Sequence, residues 1–294
     1  MGDGISHPDA SLSAQVGTAS GPHSGTSGVP IPILEARRIS KSLGVAAARI
    51  QVIDHVSFDV AEGEFVSVVG PSGCGKTTLL MCLAGLYSLD AGSIQFAGHP
   101  ITEPPPGLSV VFQDYSRSLL PWKSNLENVV FGMRRLADLS RQTKRETARE
   151  ILASVGLSRF ENHYPWQVSG GMQQRVAIAR GLAARSRLLL LDEPLAAVDA
   201  QTRAEMQDLV LELAQRYRQS CLLVTHDVDE AVYLSDRVIV LSQRPTRVVE
   251  EIMVPLAKPR DQIATREDRL YLDIRHALLE RIRALKTSVP ATGP

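Results

Sequence analysis

The strongest chemical signal in the chain is a run of nine residues: Gly70, Pro71, Ser72, Gly73, Cys74, Gly75, Lys76, Thr77 and Thr78. It fits G-x-x-x-x-G-K-[ST], between an apolar run from Glu64 to Val69 and helical spacing from about Lys76 to Leu86. Glycines let the backbone curl so that successive N–H groups point inward at phosphate oxygens. A helix start adds partial positive charge at the same place. The Lys76 ammonium can reach the β- and γ-phosphates of a nucleoside triphosphate, and the Thr77 hydroxyl can ligate Mg²⁺. Cys74 lies close to Lys76 and to a helix start, both of which lower a thiol pKa. The alternative for Cys74 is a small filler packed against the loop.

A second group follows another apolar run, Leu188 to Leu191, which ends in Asp192 and Glu193. Carboxylates there lie at the carboxyl edge of a sheet, where ligands bind in open α/β folds. Asp192 suits Mg²⁺, and Glu193 suits activation of an attacking water. A third group, Ser169, Gly170, Gly171 and Gln173, precedes a helical stretch from Val176 to Ala184. Alone it reads as an ordinary helix cap. Beside a phosphate loop it offers a second anion-binding helix start, free to serve a nucleotide held by a partner. Gln113, Asp199 and His226 each follow an apolar run, and each has a plain alternative as a surface amide, a helix cap or a strand-end histidine.

These groups need a sheet with its loops at one edge. Asp54 to Val60 alternates apolar and polar residues, as a half-buried strand does. Glu64 to Val69, Leu108 to Phe112, Leu188 to Leu191 and Cys221 to Thr225 are short apolar runs, expected as buried strands. Helical segments precede the last two, so these are expected to be parallel. Ser93 to Phe96 is a further strand, and Arg237 to Ser242 with Thr246 to Val254 reads as a late hairpin. Asn125 to Val155 has helical spacing. Tyr271, Ile274, Leu278, Ile282 and Leu285 recur on one face of a terminal helix. Residues 1–30, rich in Gly and Ser, read as a disordered tail.

Composition agrees with an α/β chain of this size. The 294 residues are 44% hydrophobic, and 32 Lys and Arg balance 32 Asp and Glu, so nothing electrostatic points to nucleic acid. Three cysteines, Cys74, Cys82 and Cys221, make neither a disulfide framework nor a metal set, and suit a reducing compartment. No run approaches the length needed to span a bilayer, and no signal peptide is expected. Any membrane role therefore needs a second polypeptide.

Phosphate loop, Ser169-Gly170-Gly171, Asp192-Glu193 and the later Thr225-His226-Asp227 occur in the order that resembles ATP-binding-cassette (ABC) ATPases. The resemblance covers residue 34 to the C-terminus. It implies a P-loop NTPase core with a small antiparallel β subdomain and a helical subdomain inserted at about 114–185. The ATPase domain would run over 31–257, with a linker and amphipathic helix over 258–294. It implies ATP and Mg²⁺, with Lys76 and the loop amides on phosphate and Thr77, Gln113 and Asp192 around the metal. Glu193 would be the base and His226 the γ-phosphate switch. Asp199 would cross a dimer interface, and Ser169, Gly170, Gly171 and Gln173 would serve the nucleotide of a second copy.

Gln113 to Trp122, Asn125 to Val129 and Leu241 to Glu250 are similar to the importer ATPases for nitrate, aliphatic sulfonates and taurine. That implies integral membrane permease subunits, a solute-binding protein, and a peripheral place on the cytoplasmic face of the inner membrane. Leu120, Pro121 and Trp122 would face the permease, or else Trp122 anchors the helical part. A heterocyclic solute, a soluble ABC ATPase and a P-loop kinase are the alternatives. Two residues depart from the family pattern. Leu43 stands where an aromatic usually stacks on adenine, and Val168 where Leu is usual.

Overall fold

The computed structural model describes residues 32–45, 48–114, 118–196 and 198–287. The expected tail at 1–30, the stretch 288–294 and part of the segment after Gln113 lie outside the described residues.

A six-stranded sheet carries the site. Its order is β10 (Val248–Met253), β9 (Arg237–Leu241), β3 (Phe65–Val69), β8 (Ser220–Val224), β7 (Leu188–Asp192), β6 (Leu108–Val111). The last five are parallel, and β10 returns antiparallel on β9. Every residue of β3, β7, β8 and β9 is buried, as expected of parallel strands covered on both faces. Successive residues point to opposite faces and so enter two separate cores. Phe65, Val69, Leu189, Leu191, Cys221 and Leu223 face the helical side. Val66, Val68, Leu188, Leu190, Leu222 and Val224 face the second sheet.

That second sheet is antiparallel, ordered β2 (Ile50–Val60), β1 (Leu34–Leu43), β4 (Ala91–Phe96), β5 (His99–Pro100). Between the sheets runs α1 (Lys76–Leu83), shorter than the sequence suggests. Gly85, at φ +70°, ends the helical path before Leu86.

The stretch from Asn125 to Val155 divides into α2 (Asn125–Gly132) and α3 (Arg141–Ser154), each with a serine cap. α4 (Gly170–Ala183) packs on α2 so closely that a Cβ on Gly132 would lie 2.4 Å from the Arg180 carbonyl. Asn128, fully buried, bonds the Leu120 N–H and carbonyl at 2.8 and 3.1 Å and so shapes the turn carrying Trp122. Trp122 itself is 70% exposed. It is therefore no hydrophobic anchor; Leu119, at 3% exposed, fills that role.

After β7 come α5 (Ala200–Arg216), α6 (Val228–Leu234), a short α7 (Ala264–Glu267) and the terminal α8 (Arg269–Thr287). The expected apolar face of α8 is present. Tyr271, Ile274 and Leu278 are buried, with Ile282 and Leu285 packed partly against the same core. Among the described residues, no helix is long and apolar enough to cross a membrane.

Candidate functional site

The loop between β3 and α1 is the floor of the site. Gly75 caps α1 at φ +115°, and a Cβ there would lie 2.6 Å from Val52 Cγ1, so only glycine fits. Lys76 is buried. Its Nζ donates to the Gly70 carbonyl at 3.0 Å and to the Pro71 carbonyl at 3.2 Å. The Cys74 N–H donates to Pro71 at 3.2 Å and closes the turn. Ser72 and Gly73 are exposed at its crest, and Thr78 is half-buried just inside the helix.

The expected activation of Cys74 is not found. The residue is 2% exposed, and burial pushes its thiol up despite the opposing Lys76 charge. It is a filler packed under the loop, the other reading that its position allows.

The end of β7 stands beside this floor. Thr77 Oγ1 donates to Asp192 Oδ1 at 3.4 Å across 115 residues of sequence. Asp192 is 2% exposed. Burial, reinforced by the Glu193 carboxylate, pushes it up to about 6, against the pull of Thr77 and Lys76. A buried carboxylate and a hydroxyl are hard oxygen donors. They fit Mg²⁺, which takes one or two protein oxygens and keeps the rest for water and phosphate.

Glu193 has φ +43°, a left-handed conformation uncommon for a residue with a side chain. Its N–H donates to the Val224 carbonyl at 2.8 Å, which ties it to the end of β8. Its Oε2 lies 3.1 Å from His226 Nδ1 and accepts from Gln113 Nε2 at 3.3 Å. Residues from the ends of β6, β7 and β8 thus converge on one carboxylate. Thr77, Gln113 and Asp192 also line a cleft of about 1000 Å³, together with Phe131 and Arg180.

Ser169, Gly170, Gly171 and Gln173 lie apart from this cluster, at the start of α4. Ser169 and Gly170 are exposed. Ser169 Oγ accepts from Met172 N at 3.4 Å, and Gln173 Nε2 donates to Val168 at 3.3 Å. These bonds stay within the segment and leave the helix start facing outward. Gln174, buried one residue further on, donates to the Pro194 carbonyl and links α4 to the loop after Glu193. Asp199 caps α5, accepting from Thr202 N at 3.0 Å.

Two contacts escape a reading of the sequence because they span most of the chain. Thr246 Oγ1 donates to the Cys74 carbonyl, and Arg244 Nη2 to that of Gly73. Their signal is the Leu241–Glu250 motif, legible only as a family mark.

The ABC transporter family model matches residues 53–196, the span holding both phosphate loop and Glu193. Bicarbonate transport ATP-binding protein CmpD of Synechocystis sp. is 42% identical over 84% of this chain and 88% of its own length. The chain belongs to the ABC transporter ATP-binding family. Nitrate import ATP-binding protein NrtC of Synechococcus elongatus is 44% identical over 76% of this chain, though the match spans 34% of that longer protein. Among solved structures, the dimeric post-hydrolysis state of the ATP-binding cassette MJ0796, bound to ADP and Pi, is 31% identical. It has a TM-score of 0.67 and covers 75% of this chain and 98% of that one. The protein is an ATP-hydrolysing ABC ATPase with the P-loop NTPase fold.

Proposed function

We propose that this ABC ATPase drives a bacterial importer for a small solute such as nitrate, bicarbonate, an aliphatic sulfonate or taurine. It would work as a homodimer on the cytoplasmic face of the inner membrane, beneath integral permease subunits served by a solute-binding protein. The observation that carries the hydrolytic part is the convergence of Gln113 and His226 on Glu193, next to the Thr77–Asp192 pair.

The chemistry assigned to these residues is in-line displacement at phosphorus. Water oxygen forms a bond to the γ-phosphorus while the bond from that phosphorus to the β–γ bridging oxygen breaks, giving ADP and phosphate. Glu193 takes the proton from water. Gln113 and His226 orient Glu193, the water and the γ-phosphate. Lys76 leaves its loop carbonyls for phosphate oxygens, and loop N–H groups hold the rest. Thr77, Asp192 and Gln113 would hold magnesium, which would supply charge neutralisation at the phosphates. Ser169, Gly170, Gly171 and Gln173 complete the site of the second copy, and Asp199 faces that copy. We place the helical insertion at 114–185 within an ATPase domain over 31–257, followed by the 258–294 extension.

For the importer role, the support is the relatives' named transport functions together with Trp122, exposed on a turn that Asn128 hydrogen-bonds. Detergent co-purification of the tagged chain with its membrane neighbours tests this. Recovery of integral subunits, and their loss with Trp122→Glu, is the expected result. A chain that hydrolyses ATP but captures no integral protein would belong to a soluble ABC ATPase.

A further inference from the structure

The turn between β9 and β10 touches the phosphate loop from behind. Thr246 is fully buried and woven into β2: its N–H donates to Val52 at 2.8 Å, and its carbonyl accepts from Asp54 N at 2.9 Å. Arg247, the next residue, pairs with Asp54. From this fixed position Thr246 Oγ1 bonds the Cys74 carbonyl, and Arg244 bonds the Gly73 carbonyl. The position a Cβ of Gly75 would take is 3.2 Å from the same hydroxyl.

We infer that Thr246 and Arg244 are positioning residues for nucleotide phosphate, acting through the loop's peptide planes. In a trans peptide the C=O and the following N–H point in opposite directions. Holding the Cys74 carbonyl toward Thr246 therefore turns the Gly75 N–H away from it, into the loop. Holding the Gly73 carbonyl outward likewise turns the Cys74 N–H inward, where it closes on Pro71. Glycines at 73 and 75 have φ of +74° and +115° and impose no side chain on these planes. The outer carbonyls therefore need external partners if the cradle is to be set before nucleotide arrives. Without them a peptide is free to turn over and bond elsewhere, and binding must turn it back.

This inference rests on the nucleotide reading of the loop, and the test separates the two. MgATP and MgADP affinities are measured by calorimetry on the full-length wild type and on Lys76→Ala, Thr246→Val, Thr246→Ser and Arg244→Ala. Melting temperatures and the split of KM and kcat are recorded beside them. Thr246→Val keeps the shape and loses the donor. It should weaken both nucleotides about tenfold, the scale of one buried carbonyl left without its donor. KM should rise in proportion, with kcat within about twofold of wild type. Thr246→Ser restores the hydroxyl and should recover most of the affinity. Arg244→Ala, at an exposed position, should weaken both nucleotides about threefold for its single hydrogen bond. A merely structural role would lower the melting temperature and leave the affinity of folded protein alone. Wild-type affinity in Thr246→Val, or equal losses in the Val and Ser variants, overturns the inference. If Thr246→Val does not fold, Arg244→Ala decides by its own affinity. Equal MgATP affinity in wild type and Lys76→Ala would instead remove nucleotide from this loop.

Discussion

Glu193 holds a backbone conformation that costs about 1–3 kcal/mol for a residue with a side chain, at φ +43°. The Val224 carbonyl fixes it there, and the side chain meets His226 and Gln113. Glu193→Gln keeps size and one hydrogen-bond acceptor and loses the base. Hydrolysis should fall about a hundredfold or more, while MgATP still binds and dimer accumulates on size exclusion. Hydrolysis at the wild-type rate would remove Glu193 from that role.

Leu43 is the other single residue with a measurable consequence. It ends β1 opposite Ile50, and both are exposed at the tip of that strand pair. If adenine lies over this tip, Leu43→Tyr should tighten MgATP about fivefold, the lower end of what base–aromatic stacking supplies. The hydrolytic step should be unchanged. Calorimetry with MgATP checks it, and identical affinities would mean that position 43 does not touch the base. That Lys76, Asp192 and Glu193 lie at one sheet edge is legible from residue types and spacing, because each comes just after an apolar run, whereas His226 gains its expected role only through the family resemblance. Cys74 is not, because burial, a property of the whole fold, outweighs the nearby charge that its spacing to Lys76 suggests.

Elements are legible where one local rule governs them. β3, β7 and β8 are nearly unbroken apolar runs because parallel strands are buried on both faces. The start of β2 at Ile50 is not legible, since Ile50 and Gln51 are exposed and give no alternation. The break between α2 and α3 is not either, because Gly132 is set by the approach of Arg180 from another helix.

α6 shows how an element can carry a hidden charge. Its Glu230 is 4% exposed and accepts from Thr225 Oγ1, while Oε1 has no hydrogen-bond partner among the described residues. Burial pushes this carboxyl up to about 7. The folded chain thus holds the proton to higher pH than an unfolded glutamate, which titrates near about 4.3. Stability from this group is full below about pH 4, is lost as pH rises to about 7, and is level beyond, a span on the order of 3 kcal/mol. Glu230→Gln cannot ionise, so its stability relative to wild type should climb between pH 5 and 7. Urea titrations of both proteins across that range check it. Parallel curves would mean that Glu230 ionises as it does in the unfolded chain.

At the scale of the molecule, the phosphate floor and the outward-facing start of α4 are separate regions of one chain. The dimeric reading makes them halves of two sites. Ser169→Arg should obstruct the nucleotide of a second copy, and Lys76→Ala should weaken the chain's own. A mixed dimer of these inactive proteins contains one site with both defects and one with neither. Mixing should therefore restore up to about half the wild-type activity in the heterodimers, because one of their two sites is intact and independent sites contribute additively. ATPase assays on verified heterodimers measure it. No recovery would mean that each chain hydrolyses with its own residues alone.

The strand order has a further consequence, for the chain as it is made. β3 lies between β8 and β9, yet Gly63 bonds Ser220 157 residues later and Phe65 bonds Asp236 171 residues later. Synthesis runs from the N-terminus, so the central strand leaves the ribosome long before either neighbour exists. Until β8 and β9 are made, both edges of β3 stay unpaired and Phe65 and Val69 lack most of the core they join, the kind of surface that seeds aggregation. Parallel pairing across such separations is also slow to form. The phosphate loop cannot be backed until Thr246 has been added. The edges of β3 therefore stay open to non-native pairing until the C-terminal strands arrive to enclose them.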